Sequence, residues 1–170
     1  MCSLQNEISS GLSSLQDFVI LVAMKKLIPE VKSYFDETAE ELNALASMDQ
    51  MEMYRMLTEI GNSLPGLKDD EKIESNFVQG CVSNVYIACS LNQGSLDFRG
   101  SSESHVVRGY VAILVHGLSG LEPKVVVENT RELVQSFAQA TNIRATLTPS
   151  RANAFGNIYE LMVTHARGYM

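Results

Sequence analysis

A chain of 170 residues that is 45% hydrophobic and 19% charged has the make-up of one globular domain, one that buries roughly 70% of its unfolded surface, which excludes wholesale disorder and a disulfide-dense mini-protein. Thirteen Lys plus Arg against twenty Asp plus Glu give a net charge of −7, which opposes a polyanionic partner, so nucleic acid is not expected. The longest apolar run, Phe18 to Met24, is seven residues, against the roughly 20 that a membrane-spanning helix needs, so no membrane span is expected.

Glu7 and Asp17 precede that run with no Lys or Arg, and no small-residue cleavage site follows before Lys25 and Lys26, a poor pattern for a secretory signal. Three cysteines, Cys2, Cys81 and Cys89, are an odd number in a chain able to build its own core, so a disulfide framework is not expected and a reducing compartment fits. Residues 1–37 read as an N-terminal extension, helical or mobile, in which Leu12, Leu15, Val19 and Val22 recur at helical steps; the main domain is expected over 38–170. The first 37 residues lack the Arg-rich, acid-poor character of a transit peptide, so the cytoplasm is the expected location, with a plastid-type organelle as the alternative.

Thr38 and Glu41 have capping-box spacing, and Leu42, Leu45, Met48 and Met51 continue at helical intervals through Leu57 and Ile60 to the stop residues Gly61 and Asn62. After the Pro65-Gly66 turn and the charge run Asp69 to Lys72, the composition turns towards β. Ile73 to Val78, Val82 to Ile87 and Ser95 to Arg99 are predicted as three short strands of an antiparallel meander, the last two joined by Asn92-Gln93-Gly94. A helix is predicted from about Glu103 to Leu118, with Val106, Val107, Tyr110, Val111, Ile113 and Leu114 as its buried face, and Gly120 ends it. A short segment after Pro123, a helix over about Thr130 to Ala140 and a last helix opening on Thr148-Pro149 and running to about His165 complete the chain.

Cys81 stands at the junction of two predicted strands directly after Gly80, a residue that opens backbone conformations closed to others and so places the thiol on a bend. The plain alternative is a small apolar core cysteine. Cys89 would lie about 26 Å from Cys81 along a regular strand, too far for a resolving thiol without a sharp bend, and suits a filled core position. His105, His116 and His165 are scattered, with no Cys or His at metal-ligand spacing, so no metal site is expected. Met48, Met51, Met53 and Met56 resemble an apolar helix surface more than a cofactor site.

From about residue 49 to 165 the motifs occur in a recognisable order: Tyr54-Arg55, Glu59-Ile60-Gly61, Leu64-Pro65, Asn76, Val78, Gly80-Cys81-Val82-Ser83-Asn84-Val85, Phe98, Ser102-Glu103, Val107-Arg108-Gly109, Leu147-Thr148-Pro149-Ser150-Arg151 and Asn153. In this the chain resembles the SufE family of cysteine desulfuration proteins, departing from the family pattern at Gln50, Tyr86, Thr146 and Ala154. The resemblance implies an α+β fold, a small antiparallel sheet of about three strands covered by helices as in SufE and IscU-like scaffolds. It implies a carrier rather than an enzyme: Cys81 accepts persulfide sulfur from a SufS-like cysteine desulfurase, activates that enzyme and passes sulfur to an iron–sulfur scaffold.

Such a chain binds no cofactor of its own, while the desulfurase uses pyridoxal phosphate. Gly80, Ser83, Glu103, Arg108 and Arg151 match family positions expected around the persulfide or at the partner contact. Val78, Val82 and Val85 are expected to desolvate the thiolate, with Arg151 in the first turn of the last helix as the offsetting cation. The five-residue spacing of Glu103 and Arg108 puts them on different parts of their helix, so they are not expected to act as one pair. A thiol redox sensor and a non-catalytic protein-binding module are the alternatives to this reading.

Overall fold

The structure is a computed structural model that describes residues 26–141 and 149–170, with side chains in the second stretch from Asn153 onward. The chain opens with α1 (Ile28–Met48), whose start is set by Pro29 in the first turn and by Glu30, whose carboxylate accepts the Leu27 N–H at 2.9 Å. The helix therefore does not begin at Thr38. That residue is buried mid-helix, and its hydroxyl donates back to the Tyr34 carbonyl at 2.7 Å, so it caps nothing. Val31 and Phe35, ahead of the expected boundary at residue 37, belong to the core.

The single helix expected over 38–60 is instead two, because Asp49 takes an extended conformation that ends α1, and its carboxylate caps α2 (Gln50–Asn62) by accepting the Met51 N–H at 2.9 Å. Two 3₁₀ turns follow, Asp69–Glu71 and Glu74–Asn76. They replace the strand expected over Ile73 to Val78: the Asn76 side chain donates to the Glu71 carbonyl and holds the turn, leaving a single bridge between Phe77 and Tyr86. The sheet thus has two strands, β1 (Val85–Asn92) and β2 (Ser95–Ser102), paired antiparallel from Val85 opposite Ser102 to Asn92 opposite Ser95. The turn is the expected one, with Gln93 at φ 50° and Gly94 at φ 81°, both left-handed as a two-residue hairpin requires.

Both sheet edges are covered. On the outer side of β1 the carbonyls of Val85, Ile87 and Cys89 meet the Val78 N–H, His165 Nε2 and the Tyr169 hydroxyl, and on the outer side of β2 Leu96 bonds to Gly120 and Leu121. The remaining helices are α3 (His105–Leu118), α4 (Pro123–Asn129), α5 (Arg131–Ala140) and α6 (Pro149–Arg167).

Helix α3 is the centre of the domain. Residues 109–115 are buried on every side of it, which needs neighbours all round rather than one apolar stripe. Glycines let those neighbours approach. A Cβ on Gly109 would stand 2.3 Å from the Leu57 carbonyl oxygen of α2, and one on Gly61 2.9 Å from the Gly109 nitrogen, so Gly61 serves a helix crossing in the last turn of α2, which ends at Asn62 as expected. On other sides Gly100 of β2 lies against Val111, and Phe35 of α1 against Gly117. The rings of Phe35, Phe137, Phe155 and Tyr110 follow one another at centroid distances of 5.4, 5.7 and 5.7 Å, joining α1, α5, α6 and α3. Among the described residues no single helix is long and apolar enough to cross a membrane.

Candidate functional site

Between the second 3₁₀ turn and β1 the backbone leaves the sheet and returns. The Val78 N–H donates to the Val85 carbonyl at 2.9 Å, closing the base of a loop over residues 79–84. Cys81 sits in this loop, after Gly80 at φ +76°, a left-handed conformation that a side chain would strain. Two elements distant in sequence hold the loop's shoulders. On one side Asn157 of α6 donates its Nδ2–H to the Gln79 carbonyl at 3.0 Å, and on the other the Glu103 N–H donates to the Asn84 carbonyl at 3.4 Å while Asn84 Nδ2 donates to Glu103 Oε1 at 3.2 Å.

The Cys81 thiol is free and half-buried, packed against the edge of the core, and burial pushes its pKa up. Of the three flanking valines expected to desolvate it, Val78 and Val85 are buried, but Val82 is 85% exposed. Val82 thus places an apolar side chain in water beside the thiol, because strand β1 begins three residues later than the sequence suggested. The other described cysteine, Cys89, stands within β1 opposite Phe98 and is also free.

The expected site residues divide. Gly80, Ser83 and Glu103 gather at the Cys81 loop, Glu103 through its bonds to Asn84 just ahead of the Ser104 cap of α3. Arg108 goes elsewhere: it lies at the crossing of α3 with α2, its Cγ against Gly61 and its Nη2 2.8 Å from His105 Nδ1, while its buried Nε has no partner. Glu103 and Arg108 form no ion pair with each other among the described residues. Arg151 belongs to the first turn of α6, but its side chain, like Cys2, Thr146 and Thr148, lies outside the described residues.

Asn157 is a site residue that the sequence did not signal, since it lies 78 positions from the carbonyl it binds and belongs to no local motif, whereas Asn84 stood within the Gly80 to Val85 motif without a role. Gly80 and Asn157 also line a groove of about 520 Å³ with Gln135, Asn153 and Tyr159, flanked by the paired Arg131 and Glu160. Among the described residues no group of His, Cys, Asp or Glu is arranged to hold a metal ion. What the loop offers chemically is a thiol whose ionised form is a nucleophile, carried on a bend instead of within a ladder.

Comparison with known proteins places the chain in a family. Residues 36–166 match the model of SufE, the Fe-S metabolism associated domain. The chain belongs to the SufE family. It is similar to a SufE-like protein of Synechocystis, 42% identical over 118 residues, which are 69% of this chain and 72% of that one. It is also similar to the sulfur acceptor protein CsdE of Escherichia coli, 31% identical over 129 residues, covering 74% of this chain and 86% of that protein. A hypothetical protein from Thermus thermophilus, solved in solution, shares the fold with a TM-score of 0.58 at 16% identity, covering 77% of this chain and 93% of that one. The expected α+β architecture, a small antiparallel sheet covered by helices, is thus that of the molecule, with helices dominating and two strands where about three were expected.

Proposed function

We propose that this SufE-family chain is a sulfur acceptor for a SufS-like cysteine desulfurase, with Cys81 as the acceptor atom, and that it hands the sulfur on to an iron–sulfur cluster scaffold. The observation that carries the reading is the presentation of Cys81: a half-exposed thiol on a left-handed bend, outside any ladder, with the apolar side chain of Val82 standing in water next to it. The similarity to a protein named as a sulfur acceptor supports the same reading.

The step is an exchange between sulfurs. The Cys81 thiolate attacks the outer sulfur of a persulfide on the desulfurase, the donor's S–S bond breaks with its electron pair returning to the donor cysteine as thiolate, and a new S–S bond forms on Cys81. No net oxidation occurs. The pyridoxal phosphate chemistry that makes the donor persulfide belongs to the partner, and this chain clears the product from it. Burial disfavours the Cys81 thiolate in the free protein, so the docked complex supplies what stabilises it, with Arg151 at the start of α6 as the cation from this chain.

The test is a desulfurase assay with free cysteine, comparing the wild type with Cys81→Ser. The serine variant loses nearly all stimulation of turnover while still binding the desulfurase; stimulation that is unchanged overturns the reading.

A further inference from the structure

The Gln79–Gly80 bend is determined twice. Its φ of +76° at Gly80 excludes an unstrained side chain, and the space a Cβ would occupy there is taken by Asn157, whose Nδ2 lies 2.9 Å from the Cβ position. The same nitrogen donates to the Gln79 carbonyl at 3.0 Å, so one amide both covers the bend and binds it. Asn157 stands on α6, a 19-residue helix anchored in the core by Ile158, Tyr159 and Met162. A loop whose other hydrogen bonds among the described residues are at its base and at Asn84 is thereby tied to a rigid element one residue from Gly80 and two from the thiol.

We propose that Asn157 is a positioning residue for the sulfur-acceptor thiol: its hydrogen bond to Gln79 sets the bend that holds Cys81 against the core and in the orientation a donor meets. This rests on the reading of Cys81 as acceptor. With the bond in place the thiol stays half-buried and protonated, and the loop needs no ordering when a partner docks. Without it the loop samples other conformations, the thiol gains water, and part of the docking free energy goes into restoring the bend.

Two variants separate the hydrogen bond from simple bulk. Asn157→Leu keeps a side chain of similar shape over Gly80 with no donor, and Asn157→Ala removes both. The first measurement is the pH profile of Cys81 alkylation by iodoacetamide, followed on the Cys81 peptide by mass spectrometry, with circular dichroism to verify the fold. Both variants are expected to alkylate faster near neutral pH by about threefold to tenfold, the range a single net hydrogen bond sets, with the profile shifted to lower pH. In the desulfurase assay the half-saturating concentration rises by a similar factor while maximal stimulation is kept.

A wild-type profile in Asn157→Leu, with only Asn157→Ala altered, assigns the effect to bulk and overturns the proposal. So does a loss of maximal stimulation at unchanged half-saturation. Alkylation requires no desulfurase, so it judges the Asn157 tie even if the Cys81→Ser assay were to refute the acceptor role.

Discussion

Cys81 and Cys89 lie eight positions apart, both free, both half-buried, both at the margin of one core, and the backbone treats them in opposite ways. Cys89 is fixed within β1: it pairs with Phe98 on one side, and on the other its carbonyl accepts the Tyr169 hydroxyl at 3.0 Å. Cys81 belongs to a segment that leaves the sheet at Val78 and rejoins it at Val85, tied by Asn157 and Glu103 at its shoulders. Burial pushes up the pKa of both thiols, so burial alone does not distinguish an acceptor from a packing residue. What differs is how much ordered backbone must yield before another protein's sulfur can approach.

The largest effect expected from this contrast is on activity. In the desulfurase assay Cys89→Ser retains most of the stimulation that Cys81→Ser loses, since a small side chain paired within β1 can be replaced by another without moving the 79–84 loop. Equal losses in the two variants would mean that the strand, rather than the loop, carries the chemistry.

Stability should divide the other way. Ile87 of β1 is fully buried, and Ile87→Ala is expected to cost about 2–5 kcal/mol through lost transfer free energy and the cavity left behind. Val82 in the loop is 85% exposed, and Val82→Ala should change stability by no more than about 0.5 kcal/mol. Denaturant unfolding of the two variants measures both, and a substantial loss in Val82→Ala would show that the loop packs in solution as the strand does.

The same division explains what the sequence disclosed. The hairpin was legible because Gln93-Gly94 supplies the two left-handed residues its turn needs, and α3 because its apolar residues recur at helical spacing over three turns. The start of α1 at Ile28 was not, since it depends on Glu30 reaching back to Leu27 and on Phe35 meeting Phe137 more than a hundred positions away. Ile73 to Val78 has a strand's composition, yet only Phe77 and Val78 find partners across the gap to β1. At the site, the order of motifs around Gly80-Cys81 was readable, and Gly80 before the cysteine announced a bend. Of its fastenings Glu103 was named only as a family position and Asn157 not at all, because both reach the loop from elements whose placement is decided by the whole core. Arg108, itself within one of the quoted motifs, faces α2 for the same reason: the closeness of α2 and α3 at Gly61 and Gly109 fixes which side of α3 meets which neighbour.

The last expected effect is a dependence of stability on alkaline pH, confined to that range, and it follows from the environment of Cys89. Burial is the main cause of its raised pKa, the Asp97 carboxylate adds to it and Arg99 opposes it, the result being about 12 against an ordinary value of 9.0. A thiol raised in the folded state contributes stability that is complete below the unfolded value and is lost as pH climbs towards the folded one, because only the unfolded chain then gains by releasing the proton. The folded protein should therefore weaken progressively between about pH 9 and pH 12. Tyr34, also raised to about 12, loses stability in part of the same window, so the informative quantity is the difference between the wild type and Cys89→Ser. The serine variant should show the shallower decline. Cys81→Ser should flatten it less, as among the described residues burial is what raises that thiol, with no carboxylate adding to it. Denaturant unfolding across this range decides the matter: if Cys89→Ser declines as steeply as the wild type, the strand thiol is as well solvated as an unfolded one, and the contrast between the two cysteines rests on backbone geometry alone.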